Sequence, residues 1–215
     1  MTEIATGPGW ELRCGDCLDP EHGLGSLADK SVAHIITDPP FASDIYERPR
    51  VNHPTTASGT SPGMVVMQSG GIGSIDGLLV GLLAHVNRLA SRWAVVFMDV
   101  ESVGEVKREM TRAGLRYVRT GAWVKTDPMP QFTGDRPSHG FEACCIAHAA
   151  VPRKMSWNGG GRPALWTYGV CKENRPDHPC PKPVPLMESL VRDFTDPGEL
   201  VCDPFAGSGT TGVAC

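Results

Sequence analysis

The segment Asp38-Pro39-Pro40-Phe41 combines three chemical features within four consecutive residues. Asp38 supplies a carboxylate that accepts hydrogen bonds, the two prolines fix the backbone and nearby carbonyls, and Phe41 supplies a flat aromatic face. Such a set can hold an exocyclic amine by its two hydrogens while the ring stacks on a base. The alternative is a strand-ending turn with a buried phenylalanine, and these four residues alone favour neither interpretation.

A second segment of this kind runs from Leu200 to Cys215 with the sequence LVCDPFAGSGTTGVAC. It predicts, in order, a strand, an acidic residue, a glycine-bearing turn and the start of a helix. Gly207 and Gly209 allow a ligand to approach the backbone closely, and the helix start offers free N–H groups. The lysine of a phosphate-binding loop is missing, so the pattern does not indicate a nucleoside triphosphate site.

The cysteine and histidine residues do not form a metal-binding pattern. Cys14 and Cys17 make a single Cys-x-x-Cys pair, and Cys171, His178 and Cys180 lack a clear fourth ligand. Structural zinc normally takes four ligands. We therefore expect no metal, and we interpret the remaining cysteines as small core residues.

The hydrophobic pattern predicts elements that place both segments directly after buried strands. Strands are predicted at Glu11–Cys14, Ser31–Thr37, Trp93–Met98, Leu115–Lys125, Glu142–Ala149 and Glu199–Cys202, and helices at Leu24–Leu27, Ile75–Leu89, Val103–Ala113 and Val184–Phe194. Residues 42–73, 128–140 and 152–181 are predicted as loops or irregular chain. The alternation of strands and helices favours an open α/β sheet, in which ligands bind beyond the carboxyl ends of the strands.

Length and composition limit the class of protein. The chain has 215 residues and a net charge of −4, which suits one domain over residues 1–215. Only the middle of the chain, residues 101–175, has a surplus of positive charge, which suits either a polyanion or an ordinary solvated surface. No apolar stretch approaches a membrane span, and the start of the chain shows no export signal. We therefore expect reduced thiols and a cytoplasmic location.

Three ordered blocks resemble the amino-methylating DNA methyltransferases, which modify adenine N6 or cytosine N4 with S-adenosylmethionine. SVAHIITDPPF (31–41) is similar to the catalytic motif, HPCPKPVPL (178–186) to the block that flanks the cofactor, and DPFAGSGTTG (203–212) to the glycine-rich cofactor motif. The catalytic block precedes the cofactor block, which is the circularly permuted order of the beta class. The resemblance implies an α/β, Rossmann-like, mostly parallel sheet of seven strands with the cofactor over its switch point.

The resemblance also implies roles for single residues. Asp38 and the carbonyl of Pro39 would accept hydrogens from the amine of a flipped base. Pro40 completes the motif between Pro39 and Phe41, and Phe41 would stack on the ring. The cofactor site would comprise Asp16, His178, Lys182, Pro183, Asp203, Pro204, Phe205, Ala206, Gly207, Ser208, Gly209, Thr210 and Thr211. Contacts to double-stranded DNA are expected from Tyr46, Arg48 and Arg50 in the loop 42–73. A small target-recognition insert at 152–176 is expected to add Arg153, Lys154, Trp157 and Arg162, and a plain surface excursion is the alternative for this insert.

Two departures from the family pattern affect these expectations. Phe41 replaces the usual tyrosine, while aspartate at position 38 favours N6 of adenine over N4 of cytosine as the target. The family also continues past Cys215 with a further strand, which would lie between the Glu11–Cys14 and Glu199–Cys202 strands. We therefore expect missing C-terminal strands, either because the chain is a fragment or because a homodimer or a second chain completes the sheet. A catalytically silent DNA-binding remnant is the rival interpretation, and RNA or protein substrates are less favoured.

Overall fold

A six-stranded sheet forms the centre of the structure, a computed structural model that describes residues 3–40, 75–151, 154–171 and 181–215. Its strands are β3 (His34–Thr37), β4 (Trp93–Met98), β5 (Leu115–Lys125), β6 (Phe141–Ala149), β7 (Leu165–Tyr168) and β8 (Val201–Cys202), in the spatial order β7-β5-β6-β4-β3-β8. The pairs β3–β4, β3–β8 and β5–β7 are parallel, whereas β6 runs antiparallel to both β4 and β5. The expectation of an α/β, mostly parallel sheet is confirmed.

Helices cover both faces of this sheet. α1 (Ile75–Leu89) and α2 (Val103–Arg112) pack on one face, and α3 (Val184–Phe194) packs on the other. Consecutive strand residues point to opposite faces, so Ile35 joins the cluster under α1 while Ile36 joins the cluster under α3. β3 is therefore buried on both sides, as its continuous apolar run predicts. A short helix, α4 (Thr210–Ala214), follows β8.

The first two strands are placed differently from expectation. β1 (Glu3–Gly7) and β2 (Trp10–Cys14) form a separate two-stranded antiparallel sheet, so the predicted Glu11–Cys14 strand does not join the main sheet. The reason is local, because Pro8 and Gly9 form a two-residue connection and Gly9 adopts a φ of 82°. A tight turn with a left-handed residue pairs strands that are adjacent in sequence. Further along, the helix predicted at Leu24–Leu27 is a single 3-10 turn over Leu24–Ser26.

The segment predicted to be irregular at 152–181 contains the strand β7, so that expectation is wrong for Leu165–Tyr168. Trp166 stands opposite Trp123 of β5, and its side chain is buried with a ring centroid 6.2 Å from that of Phe194. Its indole N–H donates a hydrogen bond to Asp193 (2.9 Å). Burial of the Trp166 side chain therefore stabilises a strand of only four residues, which is too short to be predicted from its local sequence pattern.

Two negative findings hold for the described ranges. None of their helices has the length and apolar character needed to cross a membrane. No group of three or more histidine, cysteine or acidic side chains among them is arranged to hold a metal ion. His178 and Cys180 lie outside those ranges, as does the whole predicted loop 42–73 with its residues Tyr46, Arg48 and Arg50.

A charged cluster ties together the amino ends of β3, β4 and β8. Arg92, just before β4, donates hydrogen bonds to Asp196 (2.8 Å) and to Glu199 (2.5 Å), and the buried His34 bonds the same Glu199 oxygen (2.7 Å). Burial opposes the ionised form of Glu199, but hydrogen bonds from Arg92, the Asp196 N–H and His34 outweigh burial and lower its pKa to about 2. This carboxylate therefore stabilises the fold as an anion.

Glu199→Gln should lower the free energy of unfolding at pH 7 by about 2 kcal/mol, because it removes the charge that Arg92 and His34 bond. The folded-state pKa of Glu199 is depressed, so its contribution is complete above about pH 4.5 and is lost as the pH falls towards 2. Urea titrations from pH 7 to pH 2.5 should show the two proteins converging below pH 4.5. A difference that stays constant, or equally large losses for the exposed control Glu188→Gln, would contradict this account.

Candidate active site

The two predicted motifs leave the sheet side by side. β3 and β8 are parallel neighbours with His34 opposite Val201 and Ile35 opposite Cys202, so both strands end at the same edge. Asp38 follows the end of β3 and Asp203 follows the end of β8. The carboxyl edge of the sheet, where open α/β folds bind ligands, therefore carries both motifs.

The carboxylate of Asp203 fastens these motifs to each other. It accepts hydrogen bonds from the Thr37 hydroxyl (2.7 Å), the backbone N–H of Phe205 (3.0 Å) and the Thr211 hydroxyl (2.5 Å). Burial raises the pKa of Asp203 above its usual range, and these three donors oppose that shift. Asp203 thus joins the last residue of β3, the turn after β8 and the start of α4.

The turn after β8 has the backbone that its glycines predict. Gly207 and Gly209 adopt φ values of 53° and 78°, in the left-handed region, and the Gly209 N–H donates to the Ala206 carbonyl (2.7 Å). A Cβ at Gly209 would meet no atom within 4 Å, so its backbone borders open space. A ligand can therefore approach the main chain at this turn without displacing a side chain.

The remaining residues of this motif lie close around the turn. Thr210 and Thr211 are buried at the start of α4, while Pro204, Phe205, Ala206 and Ser208 are partly exposed. Asp16 stands apart in the chain, but its neighbour Cys17 packs against the same core cluster as Cys202 and Phe205. The Asp16 carboxylate accepts a hydrogen bond from the Leu18 N–H (2.9 Å), which shapes the turn after β2.

Asp38 is held by an ion pair across the sheet edge. Its Oδ2 accepts a hydrogen bond from the Lys182 ammonium at 2.5 Å, and 39% of its side chain is exposed. Pro39 is buried and Pro40 is exposed, so the chain passes from the protein interior to the surface between these two residues. Phe41 and His178 lie outside the described residues. Lys182, which the resemblance assigns to the cofactor, contacts Asp38, and the buried Pro183 follows it directly before α3.

The ammonium of Lys182 has a second carboxylate partner. Glu142, near the start of β6, lies 2.8 Å from Lys182 and 2.8 Å from Lys125 at the end of β5. Burial disfavours the charged form of Lys182, but the carboxylates of Asp38 and Glu142 outweigh it and raise its pKa. Burial likewise opposes the ionised form of Glu142, but Lys182 and Lys125 lower its pKa below the usual range.

Sequence alone does not assign Glu142 or Lys125 to the site. The available signal was Glu142, an acidic residue at the second position of a strand that is otherwise largely apolar and buried. A partly buried charge requires a partner, and the antiparallel pairing of β5 with β6 supplies one. It sets Trp123 opposite Glu142 and brings Lys125, two residues further along β5, within 2.8 Å of the Glu142 carboxylate.

Two of the predicted DNA-contacting residues do not lie beside Asp38. Trp157 packs on Phe194 with ring centroids 5.7 Å apart, and Arg162 pairs with Asp193 near the end of α3. Phe194 also contacts Trp93, the first residue of β4, so this group lies at the amino edge of the sheet. Lys154 is exposed, and Arg153 lies outside the described residues.

Comparisons with known proteins agree with this architecture. Residues 32–215 match the family N6_N4_Mtase, described as DNA methylase. The chain is 27% identical over 128 residues to the Type II methyltransferase M2.MboI of Moraxella bovis, a match that covers 54% of this chain and 46% of that protein. The chain thus spans about half the length of the curated relatives it matches.

Solved structures show the same fold. The crystal structure of the M1.HpyAVI–SAM complex aligns with a TM-score of 0.60 and 23% identity, over 86% of this chain and 76% of that one. The cytosine-N4-specific PvuII DNA methyltransferase aligns with a TM-score of 0.65 and 18% identity, over 93% and 75%. Because the family match extends over most of the sequence and both of its motifs meet at one sheet edge, this chain belongs to the N6_N4_Mtase family of DNA methylases.

Proposed function

We propose that this chain is the catalytic domain of a DNA methyltransferase that transfers a methyl group from S-adenosylmethionine to N6 of adenine. One observation carries the proposal. Asp38 and the turn after β8 that contains Gly207 and Gly209, here called the glycine turn, are joined through Thr37, Asp203 and Thr211 at the carboxyl edge of the sheet. An acceptor for an amine and an open backbone turn for a cofactor thus occupy adjacent positions, as methyl transfer between two bound molecules requires.

The residues at the turn fit the proposed cofactor. The open space beside Gly209 and the left-handed backbone at Gly207 and Gly209 leave room for a nucleoside-like ligand against the main chain. When bound, S-adenosylmethionine supplies an electrophilic methyl group on a positively charged sulfur.

The role of Asp38 follows from its contacts. Its Oδ2 is bonded to Lys182, so we assign Oδ1 to the target amine, with the Pro39 carbonyl as the second acceptor. Accepting both amine hydrogens makes the nitrogen lone pair more available to the methyl carbon. As the new N–C bond forms, the S–C bond breaks, and the nitrogen then releases one proton. Phe41 is proposed to stack on the extruded base, which costs a few kcal/mol to remove from the duplex.

The choice of adenine rests on the aspartate at the first position of the catalytic segment. N4 of cytosine presents the same two hydrogens to Asp38 and Pro39, so the chemistry is shared. The fold comparison includes a cytosine-N4-specific enzyme, which keeps that base as the second candidate.

Nucleoside mass spectrometry tests the proposal. Unmethylated genomic DNA is incubated with the purified chain and S-adenosylmethionine and then digested to nucleosides, with Asp38→Ala as the matched control. We expect N6-methyladenine with the wild type and none with the variant. N4-methylcytosine would keep the reaction and change the base. The absence of both products would overturn the proposed activity and favour a silent remnant.

β8 forms one edge of the described sheet, since its recorded partner is β3. Completion of this edge by a second copy or another chain stays a prediction. Leu200 directly precedes β8 and Val213 lies in the helix that follows it; they are 55% and 70% exposed, an apolar surface that such a partner would cover. Sedimentation of the purified chain across a concentration series measures whether it self-associates.

A further inference from the structure

The Lys182 ammonium lies in an enclosed and almost fully paired position. Only 12% of its side chain is exposed, and its Nζ lies 5.0 Å from the Phe97 ring centroid and 5.9 Å from that of Trp123. Two carboxylates, Asp38 and Glu142, contact it directly. A cation in such surroundings is constrained by its charged partners far more than by water.

The four charged groups at this point balance. Asp38 and Glu142 carry negative charge, and Lys182 and Lys125 carry positive charge, in a chain of contacts of 2.5, 2.8 and 2.8 Å. Asp38 is the most exposed of the four, at 39%, whereas the side chains of Glu142 and Lys125 are 27% and 17% exposed. The chain of contacts therefore begins at the most exposed group, Asp38, passes through the most enclosed one, Lys182 at 12%, and ends at Lys125.

Methyl transfer moves positive charge towards Asp38. Before the reaction the charge lies on the sulfur of the cofactor, and as the N–C bond forms it passes to the amine nitrogen. An uncompensated ammonium next to Asp38 would repel that charge in a partly dehydrated site. Glu142 supplies the compensation, because its carboxylate faces the same Nζ atom that contacts Asp38.

We propose that Glu142 is a positioning residue for the methyl transfer: it holds the Lys182 ammonium against Asp38 Oδ2 and cancels its charge. This inference rests on the proposed function for its chemical role. Glu142 does not contact the amine in this account but acts through Lys182. Lys125 completes the arrangement by fixing Glu142 from the other side, which orients the carboxylate towards Lys182.

Two substitutions of Glu142 separate the effect of its charge on kcat from the effect of its side-chain length. Glu142→Gln keeps the size of the side chain and removes its charge, whereas Glu142→Asp keeps the charge and shortens the side chain. We expect Glu142→Gln to lower kcat about 10- to 100-fold, with KM for DNA and the Kd of S-adenosylmethionine within about threefold of wild type. Glu142→Asp should retain more activity than Glu142→Gln. Glu188→Gln, on the exposed face of α3, is the matched control and should leave kcat unchanged.

A double substitution tests whether Glu142 acts through Lys182. In the Lys182→Met background the ammonium is gone, so adding Glu142→Gln should change kcat less than twofold. Multiplicative losses in the double variant would overturn the inference. A kcat for Glu142→Gln within twofold of wild type, or a Glu142→Asp variant slower than Glu142→Gln, would overturn it as well.

Chemical labelling provides a readout that does not depend on activity. Acetic anhydride reacts with neutral amines, so Lys182 should be labelled several-fold faster in Glu142→Gln than in wild type, while the exposed Lys107 keeps its rate. A wild-type chain that transfers no methyl group but shows this labelling change would overturn the proposed function and leave the Glu142–Lys182 contact standing. An active wild type with unchanged Lys182 labelling in Glu142→Gln would overturn the inference alone.

Discussion

Asp38→Ala should reduce the rate of methyl transfer by about 1,000-fold while leaving the Kd of S-adenosylmethionine within about threefold of wild type. The substitution removes the carboxylate that we assign to the target amine, and the Pro39 carbonyl remains as the only proposed acceptor. The glycine turn keeps its contacts, because Asp203 is bonded to Thr37 and Thr211 rather than to Asp38. Single-turnover assays with radiolabelled cofactor measure the rate, and isothermal titration calorimetry measures the affinity.

A structural explanation of the loss can be tested separately. Asp38→Ala leaves Lys182 paired with Glu142, so the fold should survive, and the melting temperature should fall by no more than a few degrees. Asp29→Ala is a suitable control, since Asp29 is an exposed aspartate with a single arginine partner, Arg88. Retained methyl transfer in Asp38→Ala, or an equal loss in Asp29→Ala, would remove Asp38 from the mechanism.

Gly209→Val should weaken the binding of S-adenosylmethionine by 100-fold or more. The backbone at Gly209 has a φ of 78°, which a β-branched residue adopts only with strain. The new side chain would also fill the open space beside the turn, where the proposed cofactor approaches the main chain. Calorimetric titration of the folded variant with S-adenosylmethionine measures the effect, and circular dichroism establishes that the variant is folded.

Gly198→Val provides a close control for this prediction. Gly198 adopts a φ of 86°, and a Cβ there would likewise meet no atom within 4 Å, but it lies in the turn before β8. The two substitutions should therefore cost similar stability, about 1–2 kcal/mol. Only the one in the glycine turn should change cofactor affinity. Equal affinities in both variants would show that the cofactor does not occupy the space beside Gly209.

Elements with strong periodicity were predictable from sequence. The helices Ile75–Leu89 and Val184–Phe194 and the strands Trp93–Met98 and Leu115–Lys125 occur at the predicted bounds. The two helices carry apolar residues at helical spacing and Trp93–Met98 is a continuous buried run, so in these elements local pattern and tertiary packing agree. β7 was not predictable, because its four residues form a strand only through pairing with β5 and burial of Trp166.

The motifs of the candidate site were likewise predictable, whereas their electrostatic arrangement was not. The segment Asp38–Phe41 and the glycine turn can each be recognised from a few consecutive residues. The parallel pairing of β3 with β8 brings the two to one edge of the sheet. The contact between Lys182 and Asp38 joins residues 144 positions apart in the chain. A resemblance transfers a role to Lys182 by motif, but only the packed strands show that its partners are Asp38 and Glu142.

The hydrogen bonds of Asp203 have a thermodynamic consequence. Because one carboxylate bonds both Thr37 and Thr211, any ligand that orders the turn after β8 also restrains the residue that precedes Asp38. We expect such shared ordering to make the two binding events cooperative, since the second ligand would meet a site already restrained by the first. The coupling is reciprocal, so DNA should raise the affinity for S-adenosylmethionine by the factor with which the cofactor raises the affinity for DNA.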